Sequence, residues 1–570
     1  MAQTSLIIGD TNWAVKEDSL LGYNVIQNKY LPIPIDTVRA TTATRVNEQG
    51  LIEIVPRNLL LYSEQFDNAN WGKINATVTT NTTTAPNGTL TADKLIATAV
   101  NGTHLVLQIG AGAVLGQNLT LSVYAKSAGL TRLQFVNNGG GSGISSYDLT
   151  TGVATLSSGV SASMQDVGNG WYRCVLTFVP SATGNFNIQI RLLDSSGNST
   201  FTGNDIDGIF AWGAQIDNGS VATEYFPTTD RLDIPRIDYS TGTASLLVEP
   251  QRTNLLTYSE QFNDASWAVN ATITPNTTIS PDGTQDADTI LGTGFIGKNI
   301  LQSGIHTFSV FAKAGTSNEI RLNVFDGTTD RGVYYNLSNG TITSSYGTII
   351  ASNIVLYSNG WYRISITTNN ATRSYVQIHM DSAQTCFIWG AQLEVGTYAT
   401  SYIPTIASSV TRNADVLSRT GISGLIGQTE GTLFLDINLK VGLNSGFIAQ
   451  LSDGTQNNRV QIGLDNISNN TIYYQMNGNG NLGMNGQTNF TDNQRLKIAI
   501  SYKSGDSVFY LNGVKINSIS ENSVNTPISL NRINFGASHS VTSSIFSKYN
   551  SVQLYKTRLT NSELQLLTTI

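Results

Sequence analysis

Charge is scarce in this chain. Only 12% of its 570 residues are Asp, Glu, Lys or Arg, about half the ~25% usual in globular proteins. The net charge is −7 and no dense Lys/Arg block occurs, so little draws the chain to a phosphate backbone and nucleic acid is not expected as a partner. The missing charge does not signal disorder, which combines high net charge with few apolar residues; here 40% of residues are hydrophobic, interleaved with Gly, Ser, Thr and Asn. Long apolar runs are absent too. None approaches the ~18 residues of a membrane span, so no membrane partner is expected. The N-terminal stretch "MAQTSLIIGD" offers three consecutive apolar residues before Gly9, too few for the core of a signal peptide, and a cytoplasmic site of synthesis is the expectation.

Cysteine and histidine are nearly missing. Cys174 and Cys386 sit in apolar strand-like runs at different places in the chain and are expected to be buried thiols rather than a disulfide. The four histidines, His104, His306, His379 and His539, are scattered with no second ligand at metal spacing, so neither a metal nor a cofactor is expected.

What the chain does contain is a duplication. "NLLLYSEQFDNANW" from Asn58 returns as "NLLTYSEQFNDASW" from Asn254. "LTLSVYAKSAG" from Leu119 is answered by "HTFSVFAKAGT" from His306, "NGWYR" recurs at Asn169 and Asn359, and "WGAQ" at Trp212 and Trp389. "TEYFPT" around Tyr225 and "TSYIPT" around Tyr402 close the two copies. Matching landmarks in one order, with unequal loops between them, mark two copies of one module. Within a copy the period is two. "NFNIQIRLLD" sets Phe186, Ile188, Ile190 and Leu192 on one face and Asn187, Gln189 and Arg191 on the other, the pattern of a half-buried strand. Turn chemistry at "PNG" (86–88), "PDG" (281–283) and "DSSGN" (194–198) then predicts antiparallel sandwiches.

From about Gly431 every landmark of the repeat is missing. Asn512-Gly513 between the arms of "VFYLNGVKI" predicts a tight hairpin, and "LTNSELQLL" predicts a short helix with Thr560 as N-cap, Glu563 completing a capping box and Leu559 with Leu564 as a hydrophobic staple. The first 56 residues carry "LPIPID", whose prolines suit an extended segment. The expected class is all-β: tandem antiparallel β-sandwich (jelly-roll) domains behind a short N-terminal anchor arm. The boundaries are 1–56 arm, 57–230 first sandwich, 231–251 linker, 252–412 second sandwich, 413–430 linker and 431–570 terminal jelly roll.

The repeated landmarks, together with the connector "RIDYSTGTASLLVEPQRTNLL" from Arg236, resemble the carbohydrate-binding-like modules of phage head-spike and tail-fibre proteins over roughly residues 37 to 420. The stretch with "FYLNGVKI" and "SVQLYKTRLTNSELQLL" resembles concanavalin A-like, or laminin G-like, jelly rolls. The resemblance implies a virion structural protein, assembled in the host cytoplasm and exposed on the particle. It would be a head fibre or spike, a homotrimer held to other virion proteins through its N-terminal arm, presenting modules to a host cell-surface glycan. A tail receptor-binding fibre and a polysaccharide depolymerase with accessory binding modules are the alternatives. No long shaft repeat or chaperone tail is recognisable, so stacked globular modules are expected.

No catalytic set stands out, and the expectation is a protein that is not an enzyme. No "GxSxG" elbow frames a serine, and "VNNGGGSG" (136–143) lacks the lysine and helix of a phosphate cradle. Glu64 with Glu260 and Asp93 with Asp288 are repeat equivalents. A glycosidase needs two facing carboxyls, so these acids are expected instead to satisfy backbone groups near strand ends. Asp326 and Asp330 fall in a turn that could offer oxygens to calcium but suits a solvated turn better. Six of the seven tryptophans form the pairs Trp71/Trp267, Trp171/Trp361 and Trp212/Trp389. They could stack on sugars, but core packing is the expectation. A glycan would then be sought in the loops where the copies differ and around "MNGNGNLGMNGQTNF" (476–490), with no individual binding residue assignable.

Overall fold

The computed structural model describes the chain from Thr4 onward, except residues 10–13, 17–18, 25–28, 32–34, 40, 56–57, 114–117, 139–142, 182–183, 224, 230–234, 441–444, 466–469, 491–493, 517–518, 522–526 and 538–544. Nearly every element is an antiparallel strand, as the period-two patterning predicts. The chain divides into two compact units, Pro56–Ile234 and Met1–Val55 with Pro235–Ile570.

The first unit is one sandwich. One of its six-stranded sheets runs, in spatial order, Ser161–Gly168, Trp171–Phe178, Leu119–Ala128, Gly208–Asn218, Ala92–Ala97 and Ala76–Thr83; the other runs Val153–Ser158, Gly143–Asp148, Arg132–Asn137, Gly184–Leu193, Leu105–Ala113 and Gly72–Ile74. Alternate residues such as Leu121, Val123, Phe135, Ile188 and Ile190 meet between the sheets and are fully buried, each such side chain contributing ~1.5–3 kcal/mol by leaving water.

The second sandwich, inside the other unit, repeats this order strand for strand. Ala351–Leu356, Tyr362–Asn370, Gly304–Ala314, Thr385–Val395, Ala287–Leu291 and Thr272–Thr278 form one sheet. Thr341–Tyr346, Asp330–Asn336, Glu319–Phe325, Ser374–Met380, Gly294–Ile300 and Ala268–Val269 form the other. The duplicated opening stretch works as a knot at the start of each copy. Asn58 donates to the carbonyls of Ala214 and Phe226 and accepts from the Leu60 and Ile216 amides. Asn254 does the same with Ala391, Ile403, Leu256 and Leu393. Tyr62 and Tyr258 both take a left-handed backbone (φ 50° and 54°), and their carbonyls accept the indole N–H of Trp71 and Trp267.

The terminal jelly roll is built from more of the chain than its own stretch. Strand Glu430–Lys440 lies between Arg495–Lys503 and Phe546–Tyr555. The far edge of Phe546–Tyr555 takes Thr4–Gly9, with Ile8 opposite Val552, and also Ser245–Val248, with Leu246 opposite Tyr549. In the facing sheet Asp36–Val38 pairs with Val416–Arg419. Segments read from sequence as arm and linkers are thus strands of this domain, because Leu6, Ile8, Leu246 and Val248 bury alternate apolar side chains in its core while their backbones cover a sheet edge that would otherwise stand open. The terminal jelly roll thus holds Thr4–Gly9 and Asp36–Val38, whereas Val46 and Ile52 pack against the second sandwich beside Trp361, Trp389 and Tyr402. The Asn512-Gly513 turn, with positive φ at both residues, joins Val508–Leu511 to Val514–Ile516. Helix Asn561–Thr568 carries the capping box of Thr560 and Glu563, with Leu559 and Leu564 buried beneath it.

Five fully buried charges tie these segments together. Arg39 pairs with Asp415 at 2.9 Å, Arg236 with Glu249 at 2.8 Å and also with Asp415, and Arg412 reaches Glu249 at 3.4 Å. Burial opposes ionisation of Glu249, yet Arg412 and Arg236 hold its carboxyl well below the usual range. Such a network contributes little net stability, but breaking one partner is expensive.

A candidate binding groove on the second sandwich

The acids and aromatics singled out in the sequence serve the scaffold. All six paired tryptophans are at most 4% exposed. Asp93 accepts the Phe66 and Asn81 amides, and Asp288 those of Phe262 and Asn276, as expected for backbone-satisfying carboxylates. Glu64 and Glu260 differ from that expectation: each accepts a tyrosine hydroxyl, from Tyr225 at 3.2 Å and Tyr402 at 2.9 Å. Burial above all pushes Glu260 up to about 7. Asp326 caps its own turn through the Thr328 and Thr329 amides and pairs with Arg331. Cys174 and Cys386 are buried and free. His104 is buried between the carbonyls of Asn75 and Phe201, His306 bonds the Gly304 carbonyl, and His539 lies outside the described residues, as do 139–142 of the glycine-rich stretch. Residues 476–490 form most of a strand pair, Thr471–Gly478 with Asn481–Asn489, whose Met476 and Met484 point into the core. Among the described residues no three His, Cys, Asp or Glu side chains gather as a metal site.

His379 is the exception, because it lies in a groove. Strand Ser374–Met380 buries Ser374, Val376, Ile378 and Met380 and turns Tyr375, Gln377 and His379 outward, with Arg373 just before them. Neighbouring strands bring Arg321, Asn323 and Phe325 on one side and Gly297 and Asn299 on the other, around an open groove of about 960 Å³. The space depends on two glycines. A Cβ on Gly297 would stand 2.9 Å from the Gln377 side chain and 3.1 Å from the Tyr375 ring; one on Gly332 would stand 2.4 Å from Asn323 Oδ1.

One wall of the groove is a tied polar platform. Arg321 makes a two-point contact with Asp381 (3.0 and 2.9 Å), donates to Asn323 Oδ1 and the Tyr346 hydroxyl, and lies over the Tyr334 and Tyr346 rings. It also meets His379 Nδ1 at 3.1 Å. A guanidinium only donates, so Nδ1 accepts and Nε2 carries the hydrogen toward Gln377 Oε1, 3.0 Å away. Burial, then the Arg321 charge, lowers His379 to about 4 and keeps it neutral. Asn323 in turn donates to both oxygens of Asp330.

The opposite wall carries groups with no hydrogen-bond partner among the described residues. The guanidinium of Arg373 lies over Phe325 (5.4 Å) and has no carboxylate partner among the described residues. The Tyr375 hydroxyl, the Gln377 amide N–H₂ and Asn299 are likewise uncommitted there. Flat rings, amides and the Arg373 cation converging in an open groove can bind a polar ligand that has an apolar face.

The equivalent face of the first sandwich is closed. Where Gly297 stands opposite Gln377, Leu107 stands opposite Gln189. Asn323 becomes Val136, and Gly332 becomes Ile144. Tyr375 becomes Asn187, so the aromatic is lost as well. The signal was present in the sequence as the alternation in "RSYVQIHM", whose outward residues are polar or aromatic, and as the mismatch between the copies on that face. The landmarks mark what the copies share, which is scaffold.

No family model and no curated relative matches the chain. Among solved structures, stretches of it are similar to the CBM40 of the Ruminococcus gnavus IT-sialidase bound to alpha2,3 sialyllactose (12% identity, TM-score 0.23, covering 25% of this chain and 84% of that one). Others are similar to the binding domain of botulinum neurotoxin serotype G (11%, 0.24, 30% and 45%) and the receptor binding domain of botulinum neurotoxin D (13%, 0.23, 27% and 40%). The chain thus spans less than half of either neurotoxin domain.

Proposed function

We propose that the chain is an adhesive protein whose second sandwich holds a glycan in the groove over Arg373, Tyr375 and Gln377. The observation that carries this reading is the pairing of a prebuilt, tied wall with a wall of uncommitted donors and rings, on a sheet face that the sister module fills with Leu107, Val136 and Ile144. A pyranose offers what such a groove takes, an apolar ring face and a rim of hydroxyls. No reaction is assigned to the site, and binding without turnover is part of the proposal.

The setting we propose is a virion surface, as a head fibre or spike or a tail fibre. It would be held through residues 1 to 56 and assembled as a homotrimer, so that weak sites act together. What supports it is the resemblance of the duplicated landmarks to phage spike and fibre modules. Because Leu6 and Ile8 are buried in the chain's own C-terminal core, attachment to a particle would use the outward faces of this segment.

A glycan array probed with the full chain and with an Arg373→Ala/Tyr375→Ala variant of unchanged melting temperature tests the site. The expected result is a defined set of hits that the variant loses. Hits shared by both proteins would move the site elsewhere, and release of reducing ends from a bound polysaccharide would overturn the non-catalytic reading.

A further inference from the structure

A second cavity lies within the larger unit, where the second sandwich meets the terminal jelly roll and its N-terminal strands. It holds about 680 Å³ and is distinct from the groove, with no lining residue in common. Lys440, the last residue of strand Glu430–Lys440, extends into it. Its ammonium lies over the rings of Phe546 (4.8 Å) and Tyr398 (5.7 Å), and its one hydrogen bond among the described residues is a long contact to the Ala399 carbonyl at 3.5 Å. Among the described residues it has no ion-pair partner, whereas the neighbouring cations are committed: Lys548 to Asp238 (2.7 Å) and Arg45 to Glu53 (2.8 Å). Arg363 is held by Ser309 and the Thr400 carbonyl. A half-buried ammonium without an anion is costly, and the site supplies a further unmet group, the Tyr398 hydroxyl, which is buried with no hydrogen-bond partner.

The rest of the lining describes the ligand. Ser352, Ser365 and the Asn353 amide N–H₂ have no side-chain partner among the described residues, so hydroxyls can be received around the anion. The Phe546 ring gives an apolar face. Lys440 is the cation there with hydrogens left to offer, because Arg363, though also without a carboxylate partner among the described residues, has its terminal nitrogens on the Thr400 carbonyl and Ser309 Oγ, so one carboxylate is the matching anion. The first sandwich has no counterpart, since Val221 takes the place of Tyr398 after the shared "WGAQ" landmark and is 72% exposed.

We infer that this cavity binds a sugar acid, a small polyhydroxylated molecule with one carboxylate, whose carboxylate pairs with Lys440 and accepts from the Tyr398 hydroxyl. The site is separate from the groove and stands whether or not the groove binds a glycan. Burial, then the charges of Lys548 and Arg363, lowers the Lys440 ammonium to about 8 against the opposing pull of Glu249 and Glu394. Binding should therefore weaken as pH rises through that value.

The test is calorimetric titration of the full chain with glucuronate and, as neutral control, glucose at pH 7. Glucuronate is expected to bind, and any binding of glucose to disappear in the Arg373→Ala/Tyr375→Ala variant, which removes the groove. Lys440→Gln should weaken glucuronate at least about tenfold, the order of one lost charge-assisted contact. Tyr398→Phe, which keeps the ring and the packing, should weaken it less, and the Arg373→Ala/Tyr375→Ala variant should leave it unchanged. Inorganic phosphate that binds while glucuronate does not would overturn the ligand class. Absence of glucuronate binding, equal affinity in the Lys440→Gln protein, or loss in the groove variant instead would each overturn the inference.

Discussion

Glu260 shows how a single residue that looks catalytic can be read as structure. Its carboxyl accepts the Tyr402 hydroxyl beside Ser259, a geometry that Glu64, Tyr225 and Ser63 repeat in the other copy. With its pKa raised by burial from 4.5 to about 7, the folded state binds a proton that the unfolded state has released between those values. Stability should therefore be fully present below about 4.5 and decline as pH rises toward about 7, by on the order of 1–3 kcal/mol. Asp288, raised by burial to about 6, adds to the same slope. Urea denaturation at pH 5 and pH 8 checks this: Glu260→Gln should flatten the decline, and an unaltered slope would contradict the assignment. Trp361, with no exposed surface and its indole N–H on the Ile279 carbonyl, belongs to the core; Trp361→Ala should cost about 3–5 kcal/mol.

At the scale of elements, the sequence was most legible where a local rule decides the outcome. The Asn512-Gly513 hairpin and the helix capped by Thr560 were read in place because turn and cap chemistry act over a few residues. Strand identity in "NFNIQIRLLD" followed from its alternation. Strands Thr4–Gly9 and Ser245–Val248 look like arm and linker in the sequence because each carries only two inward apolar residues, and the edge they cover, on Phe546–Tyr555, lies hundreds of residues away. The groove escaped for a related reason: Arg373, Tyr375, Gln377 and His379 are adjacent on one strand, but Arg321, Asn323 and Gly297 join them only through sheet register. Two expectations follow. Ile8→Ala, which empties part of the terminal core from the N-terminal strand, should cost about 2–5 kcal/mol in urea denaturation. Glu249→Gln, which takes the nearest carboxylate from buried Arg412 and leaves Arg236 with Asp415 alone, should cost about 3–5 kcal/mol. Values near zero would mean that these segments are not integral to the fold.

For the whole molecule, duplication has kept one scaffold and changed what its outer sheet presents. The knots at Asn58 and Asn254, the Trp71 and Trp267 anchors and the strand order are common to both sandwiches. The groove belongs to the second, where Gly297 and Gly332 leave space and Arg373, over the Phe325 ring, has no carboxylate partner among the described residues. The first sandwich, Pro56–Ile234, forms a compact unit of its own and should fold when expressed alone, with a cooperative melt and dispersed amide resonances, but without the glycan binding of the full chain. The most direct test of the central claim is a crystal structure of the full chain with the strongest glycan from the array. A sugar ring should lie in the groove, its polar rim within hydrogen-bond distance of Arg373, Tyr375 and Gln377; a sugar bound on the first sandwich, or on the terminal jelly roll with this groove empty, would overturn the assignment.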